Sequence, residues 1–151
     1  MRFEYANIDF DDLRGDLIAD YLIAIDADFR ISDGGKDVFT DPYFPVVELA
    51  RSLVDWIRGP SSDDFLFSSL SSETTGLITI SREGGGWVVF SALTPDVRSS
   101  PVPIAEIDGC VREFIHAVRD DLVRRGFDAA RILGDGDARF RGVPGSPTRS
   151  R

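Results

Sequence analysis

The side chains suited to proton or covalent chemistry in this chain are few: a single histidine, His116, and a single cysteine, Cys110. His116 has Glu113 at i−3 and Asp120 at i+4, the spacing at which carboxylates on one helix orient an imidazole or share a cation with it. No second histidine is present to complete a familiar metal set, so the trio reads as a solvated helix face. Cys110 lies six residues before His116. On a helix that separates the two side chains by about 120°, which prevents a thiolate–imidazolium pair and leaves a structural thiol.

Other motifs resolve in the same direction. Gly84-Gly85-Gly86 leads into Trp87 and a strand rather than into a helix N-terminus, so it is a hairpin turn and not a phosphate cradle. Gly134-Asp135-Gly136-Asp137 lacks the third oxygen ligand and the closing glutamate of a calcium loop. The pairs Asp11-Asp12, Asp63-Asp64 and Asp120-Asp121 have nothing beside them to raise a pKa, and no serine sits in a Gly-x-Ser-x-Gly elbow. Neither a metal nor a cofactor is implied, and the chain is not expected to be an enzyme.

What remains is charge. Residues 1–75 hold 16 Asp/Glu against 6 Lys/Arg, whereas residues 76–133 are nearly balanced at 8 against 7, within a total of −9. Affinity for phosphates rests on cationic side chains displacing counterions, so nucleic acid and anionic bilayers are disfavoured and a basic protein partner is favoured. A lone cysteine forms no internal disulfide, and the polar, acid-interrupted start MRFEYANIDFDDLRGD has neither part of a signal peptide. A cytoplasmic protein is expected.

The elements that must position these carboxylates are legible from period and punctuation. Over residues 17–31 the apolar residues Leu17, Ala19, Tyr21, Ile23, Ile25, Ala27, Phe29 and Ile31 take the odd positions, while Asp20, Asp26, Asp28 and Arg30 take even ones. That alternation predicts one long strand with a buried face and an acidic stripe, bent near Ala24 because its length of roughly 50 Å exceeds the usual strand. Asp33-Gly34-Gly35 turns the chain back through Val38 and Phe39. Asp41-Pro42-Tyr43-Phe44-Pro45 then breaks the strand and opens a helix from about Pro45 to Arg58, with Val46, Leu49, Ala50, Leu53, Trp56 and Ile57 on one face and Gly59-Pro60 ending it.

Three short strands follow at about residues 65–70, 77–82 and 87–93, joined by gaps short enough for an antiparallel meander. A second helix is expected from Pro103 or Ile104 to Arg125, stopped by Gly126, with Ile107, Val111, Phe114, Ile115, Val118 and Leu122 along one face. The chain therefore reads as one domain over residues 1–133, with residues 134–151 a disordered Gly/Pro/Ser/Arg tail. The order β-β-β-α-β-β-β-α gives an α+β fold: a twisted antiparallel sheet of about six strands carrying two amphipathic helices on one face, the other face wet.

The stretch Tyr43-Phe44-Pro45-Val46-Val47-Glu48-Leu49-Ala50-x-x-Leu53-x-x-Trp56, followed by Asp64-Phe65-x-Phe67, Gly76-Leu77-Ile78 and Gly86-Trp87, resembles a group of small uncharacterised actinobacterial proteins over roughly residues 3 to 125. In size, acidity and layout the chain is also similar to the immunity proteins encoded beside polymorphic or contact-dependent toxins. That likeness implies a non-enzymatic inhibitor of a basic, nuclease-type toxin domain and assigns no catalytic residue.

The expected partner-binding residues are Asp20, Asp26 and Asp28 on the open sheet face, with Asp9, Asp11 and Asp37 nearby. An alternative is a small-ligand module whose pocket is lined by Trp56, Phe65, Phe67, Trp87 and Phe90, with Tyr21 or Glu48 as its polar base. A homodimer formed through the sheet face or an edge strand is a third arrangement.

Overall fold

A computed structural model describes residues 1–60 and 63–134. In chain order it contains β1 (Arg2–Asp9), α1 (Ile18–Ala24), β2 (Asp26–Asp33), β3 (Lys36–Phe44), α2 (Val46–Arg58), β4 (Phe65–Ser68), β5 (Thr75–Glu83), β6 (Gly86–Phe90), α3 (Ile104–Arg124) and α4 (Ala129–Leu133). The fold is α+β with six antiparallel strands, as the sequence indicates. They form two sheets of three, ordered β1-β2-β3 and β4-β5-β6. The second sheet is bounded at β6 by bridges from Trp87 to Val102 and from Phe90 to Arg98, which occupy that edge.

Both hairpin turns have the expected chemistry. Gly34 and Gly35 sit at φ 59° and 82°, and Gly84 and Gly85 at 62° and 83°, the left-handed pairs that let a two-residue loop match the twist of its strands. Helices α2 and α3 pack on each other, α2 also against β2 and β4, and α3 against β1 and β6, so that one core spans both sheets. Phe29 stands at the centre of the first sheet's share, stacked on Phe44 at 4.7 Å between centroids and edge-on to Phe114 at 5.5 Å.

Three expectations are corrected. Residues 17–31 are not one strand: the first part is helix α1 and only the second part is strand, so the order becomes β-α-β-β-α-β-β-β-α-α. The reason is that Ile18, Tyr21, Leu22 and Ile25 also satisfy i, i+3, i+4, i+7, and it is this stripe that meets the core, leaving Leu17 and Ile23 exposed. Asp41-Pro42 does not end β3, which runs on to Phe44; β3 is an edge strand of its sheet, where proline's missing N–H costs no ladder bond. A short helix, α4, was not expected between Gly126 and Gly134; the Asp128 side chain caps it by accepting from the Arg131 N–H. The expected tail after Gly134, with the Asp135 and Asp137 of the calcium-like stretch, lies outside the described residues.

Candidate functional site

From Ile25 onward the alternation holds. Ile25, Ala27, Phe29 and Ile31 are buried, while Asp28 and Arg30 emerge on the outer face of the first sheet. Glu4 and Ala6 of β1 and Thr40 of β3 share that face, bordering a shallow groove of about 570 Å³ with Asp28, Arg30 and Asp41.

The face is electrically divided. Toward the β2–β3 turn, Arg30 holds Asp37 through a 2.6 Å contact from Nε and approaches Glu4 at 3.9 Å, so acid and base offset one another. Toward the other end the carboxylates accumulate. Asp9 stands opposite Asp26 in the β1–β2 register, beyond a bulge at which Asn7 adopts a φ of 56°. Partial burial pushes the Asp26 carboxyl above its ordinary range, and Asp9, Asp12, Asp41 and Asp28 each push it further the same way. Short polar contacts fix several of these groups: Asn7 Nδ2 donates to Asp28 at 2.7 Å, the Asp11 N–H to Asp9 at 2.7 Å, and the Tyr43 N–H to Asp41 at 2.9 Å.

Of the six carboxylates expected to form the surface, Asp9, Asp26 and Asp28 are thus brought together. Asp11 is exposed in the turn after β1, next to the cluster in sequence but with its backbone carbonyl committed to Arg14. Asp37 lies at the neutralised end. Asp20 belongs to α1, where its carboxylate accepts from the Leu17 N–H at 2.9 Å and so secures the first turn of the helix. Asp12 and Asp41 were missed. Asp41 had a signal: with β3 continuing through Pro42, it pairs with Phe29 on β2 and reaches the acidic end.

The aromatic side chains of the alternative pocket are packing. Trp56 meets Phe65 at 5.6 Å and Trp87 at 6.4 Å, and its indole N–H donates to the Asp63 carbonyl. Phe67 is fully buried against Phe44, and Phe90 is covered by the Arg98 guanidinium at 4.0 Å. Tyr21 packs edge-on to Phe127. Glu48 is buried on α2 and accepts from Ser69 Oγ at 2.6 Å and the Leu70 N–H at 2.7 Å, pinning the end of β4 to the helix. None of these seven residues lines the groove on the outer face.

Elsewhere on α3, His116 is exposed and Cys110 is buried, its Sγ 2.9 Å from the Met1 carbonyl. Burial pushes the Cys110 thiol up, more than the nearby N-terminal amine draws it down, which keeps it protonated as a donor. Among the described residues no group of histidine, cysteine or carboxylate side chains is disposed to hold a metal ion, and no helix is long and apolar enough to cross a membrane.

The chain belongs to a family described as a domain of unknown function (DUF7878), whose model matches residues 1–124. That span covers the first sheet, the acidic end and both long helices. Neither a curated protein nor a solved structure matches it.

Proposed function

We propose that this member of the DUF7878 family is a non-enzymatic protein-binding module that presents the acidic end of its first sheet to a basic protein partner. One observation carries the reading: Asp26 stands opposite Asp9 across the β1–β2 pair, and beyond its partial burial the charges of Asp9, Asp12, Asp41 and Asp28 each disfavour its own. Such a cluster costs the free protein stability and is relieved when a cation arrives. A field of this kind speeds association and selects against wrong partners more than it adds affinity. The same carboxylates support a choice of partner chemistry, since acidic groups clustered on a sheet would take the place of phosphates at a nucleic-acid-handling protein. A nuclease-type toxin domain is therefore the proposed partner, with the chain acting as its immunity protein in the cytoplasm of an actinobacterium.

The test is calorimetric titration against the product of the gene adjacent to its own, at several salt concentrations. Binding at micromolar protein that weakens as salt rises, and that falls when Asp9, Asp26 and Asp28 are changed to asparagine, supports the proposal. Absence of binding in low salt rejects it.

A further inference from the structure

The two sheets have four edges, and three of them are protected. β6 is bridged by Arg98 and Val102. β3 carries Pro42, its start is tied to the loop after β6 by Lys36 Nζ donating to the Arg98 carbonyl, and Val38 to Thr40 face Leu93, Thr94 and Val97 across a concavity. β4 is only four residues long. β1 is left, paired by β2 on one side alone. Its regular stretch, Arg2 to Ala6, precedes the Asn7 bulge. A strand paired on one side leaves alternate N–H and C=O groups without ladder partners, a standing template for another strand.

A groove of about 470 Å³ runs beside this edge. Arg2, Phe3, Glu4 and Tyr5 all line it. Consecutive strand residues point to opposite faces, so a concavity that touches all four lies against the edge itself. Its far wall is a stripe of α3 that includes Glu113, Ala117 and Asp120. The other charges there are engaged: Arg124 with Asp121 at 2.5 Å, Arg2 with Glu4 at 3.7 Å, and the Tyr5 hydroxyl donating to Asp121. Glu113 and Asp120 are both exposed, and neither makes an ion pair among the described residues.

We propose that the β1 edge accepts an extended, arginine- or lysine-bearing segment of a partner protein as a fourth strand of the first sheet, with Glu113 and Asp120 receiving its cations. Main-chain bonds along Arg2 to Ala6 would supply affinity, and the helix carboxylates would set the preference for base on the side facing α3. The proposal rests on the reading above for the basic character of the partner, but it uses other residues.

The probe is a short peptide of alternating arginine and threonine, with the full chain. Binding at sub-millimolar peptide, slowed hydrogen exchange at alternate amides of Arg2 to Ala6, and a loss of about tenfold or more in affinity in the Glu113→Lys/Asp120→Lys double variant are expected. Both substitutions are at exposed helix positions, and circular dichroism checks that the fold is retained. Absence of binding at millimolar peptide in low salt overturns the proposal, as does binding indifferent to the double variant. If Asp9→Asn/Asp28→Asn abolishes binding and the helix variant does not, the peptide sits on the acidic end; the edge proposal then fails while the wider reading stands. Protection of the β1 amides without peptide, together with dimer mass in light scattering, assigns the edge to a second copy and likewise overturns it.

Discussion

Asp9 and Asp26 are cross-strand partners in the β1–β2 register, two carboxylates placed opposite each other just past the bulge at Asn7. Like charges in that relation destabilise a sheet by up to about 1 kcal/mol. The raised Asp26 carboxyl has the corresponding sign: the folded state binds its proton more tightly than the unfolded chain, so its favourable contribution is complete below the unfolded carboxyl pKa and is lost as pH rises through the folded value. Asp26→Asn should therefore be more stable than the parent at neutral pH, by about 0.5 kcal/mol, and the difference should shrink in acid and in high salt. Urea titrations at neutral and acidic pH measure it. The same variant should bind a basic partner more slowly, and that opposition between stability and binding separates a functional surface from an incidental one.

Arg30 makes the converse case. It lies on the outer face, drawn toward Asp37 and Glu4. Exposed ion pairs of this kind contribute about 0.2–1 kcal/mol. Arg30→Gln should cost no more than that in stability, yet it frees the Asp37 carboxylate and leaves Glu4 to Arg2 alone. Stopped-flow association with a basic partner should become faster and more salt-dependent. A slower association would mean that Arg30 itself contacts the partner.

How much of this could be read from residues alone depends on whether one period or two fitted them. Strands β5 and β6 were legible as short apolar runs joined by a glycine turn, and helices α2 and α3 because each has one helical period and a glycine after its end. Residues 17–25 were not, since odd-position apolar residues and the helical set Ile18, Tyr21, Leu22 and Ile25 coexist there. Burial on the tertiary core decided between them. Asp20, three residues after Leu17, was the local sign of a helix start. The acidic end was half legible: Asp26 and Asp28 follow from the alternation, whereas Asp12 and Asp41 join them only through the turn after β1 and a strand that runs past its own proline.

Glu48 separates packing from a ligand pocket. Its carboxylate is buried and accepts from Ser69 Oγ and from the Leu70 N–H. Glu48→Ala strands both donors and leaves a void, at a cost of about 2 kcal/mol or more. Thermal unfolding should fall accordingly, and partner binding measured well below the transition should be unchanged. If instead a metabolite raises the melting temperature of the parent but not of this variant, Glu48 is the base of a binding site.

Tyr5 joins β1 to α3 by donating its hydroxyl to Asp121, and its ring packs edge-on to Phe114 at 5.8 Å. Burial, more than the bond to Asp121 and the negative charge of that side chain, drives the phenol pKa far above its ordinary value of 10.0. The folded state therefore keeps a proton that the unfolded chain releases. The sign follows: the stability contributed by neutral Tyr5 is complete below pH 10.0 and is lost progressively above it. Tyr5→Phe keeps the ring, removes the hydroxyl and should cost about 1–2 kcal/mol near neutrality, where the Asp121 oxygen is left without its donor. Above pH 10.0 the gap between parent and variant should narrow, because the variant has no phenol to ionise. Denaturant midpoints measured on either side of that pH provide the check, and a gap that stays constant would show that the Tyr5–Asp121 contact contributes nothing through its proton.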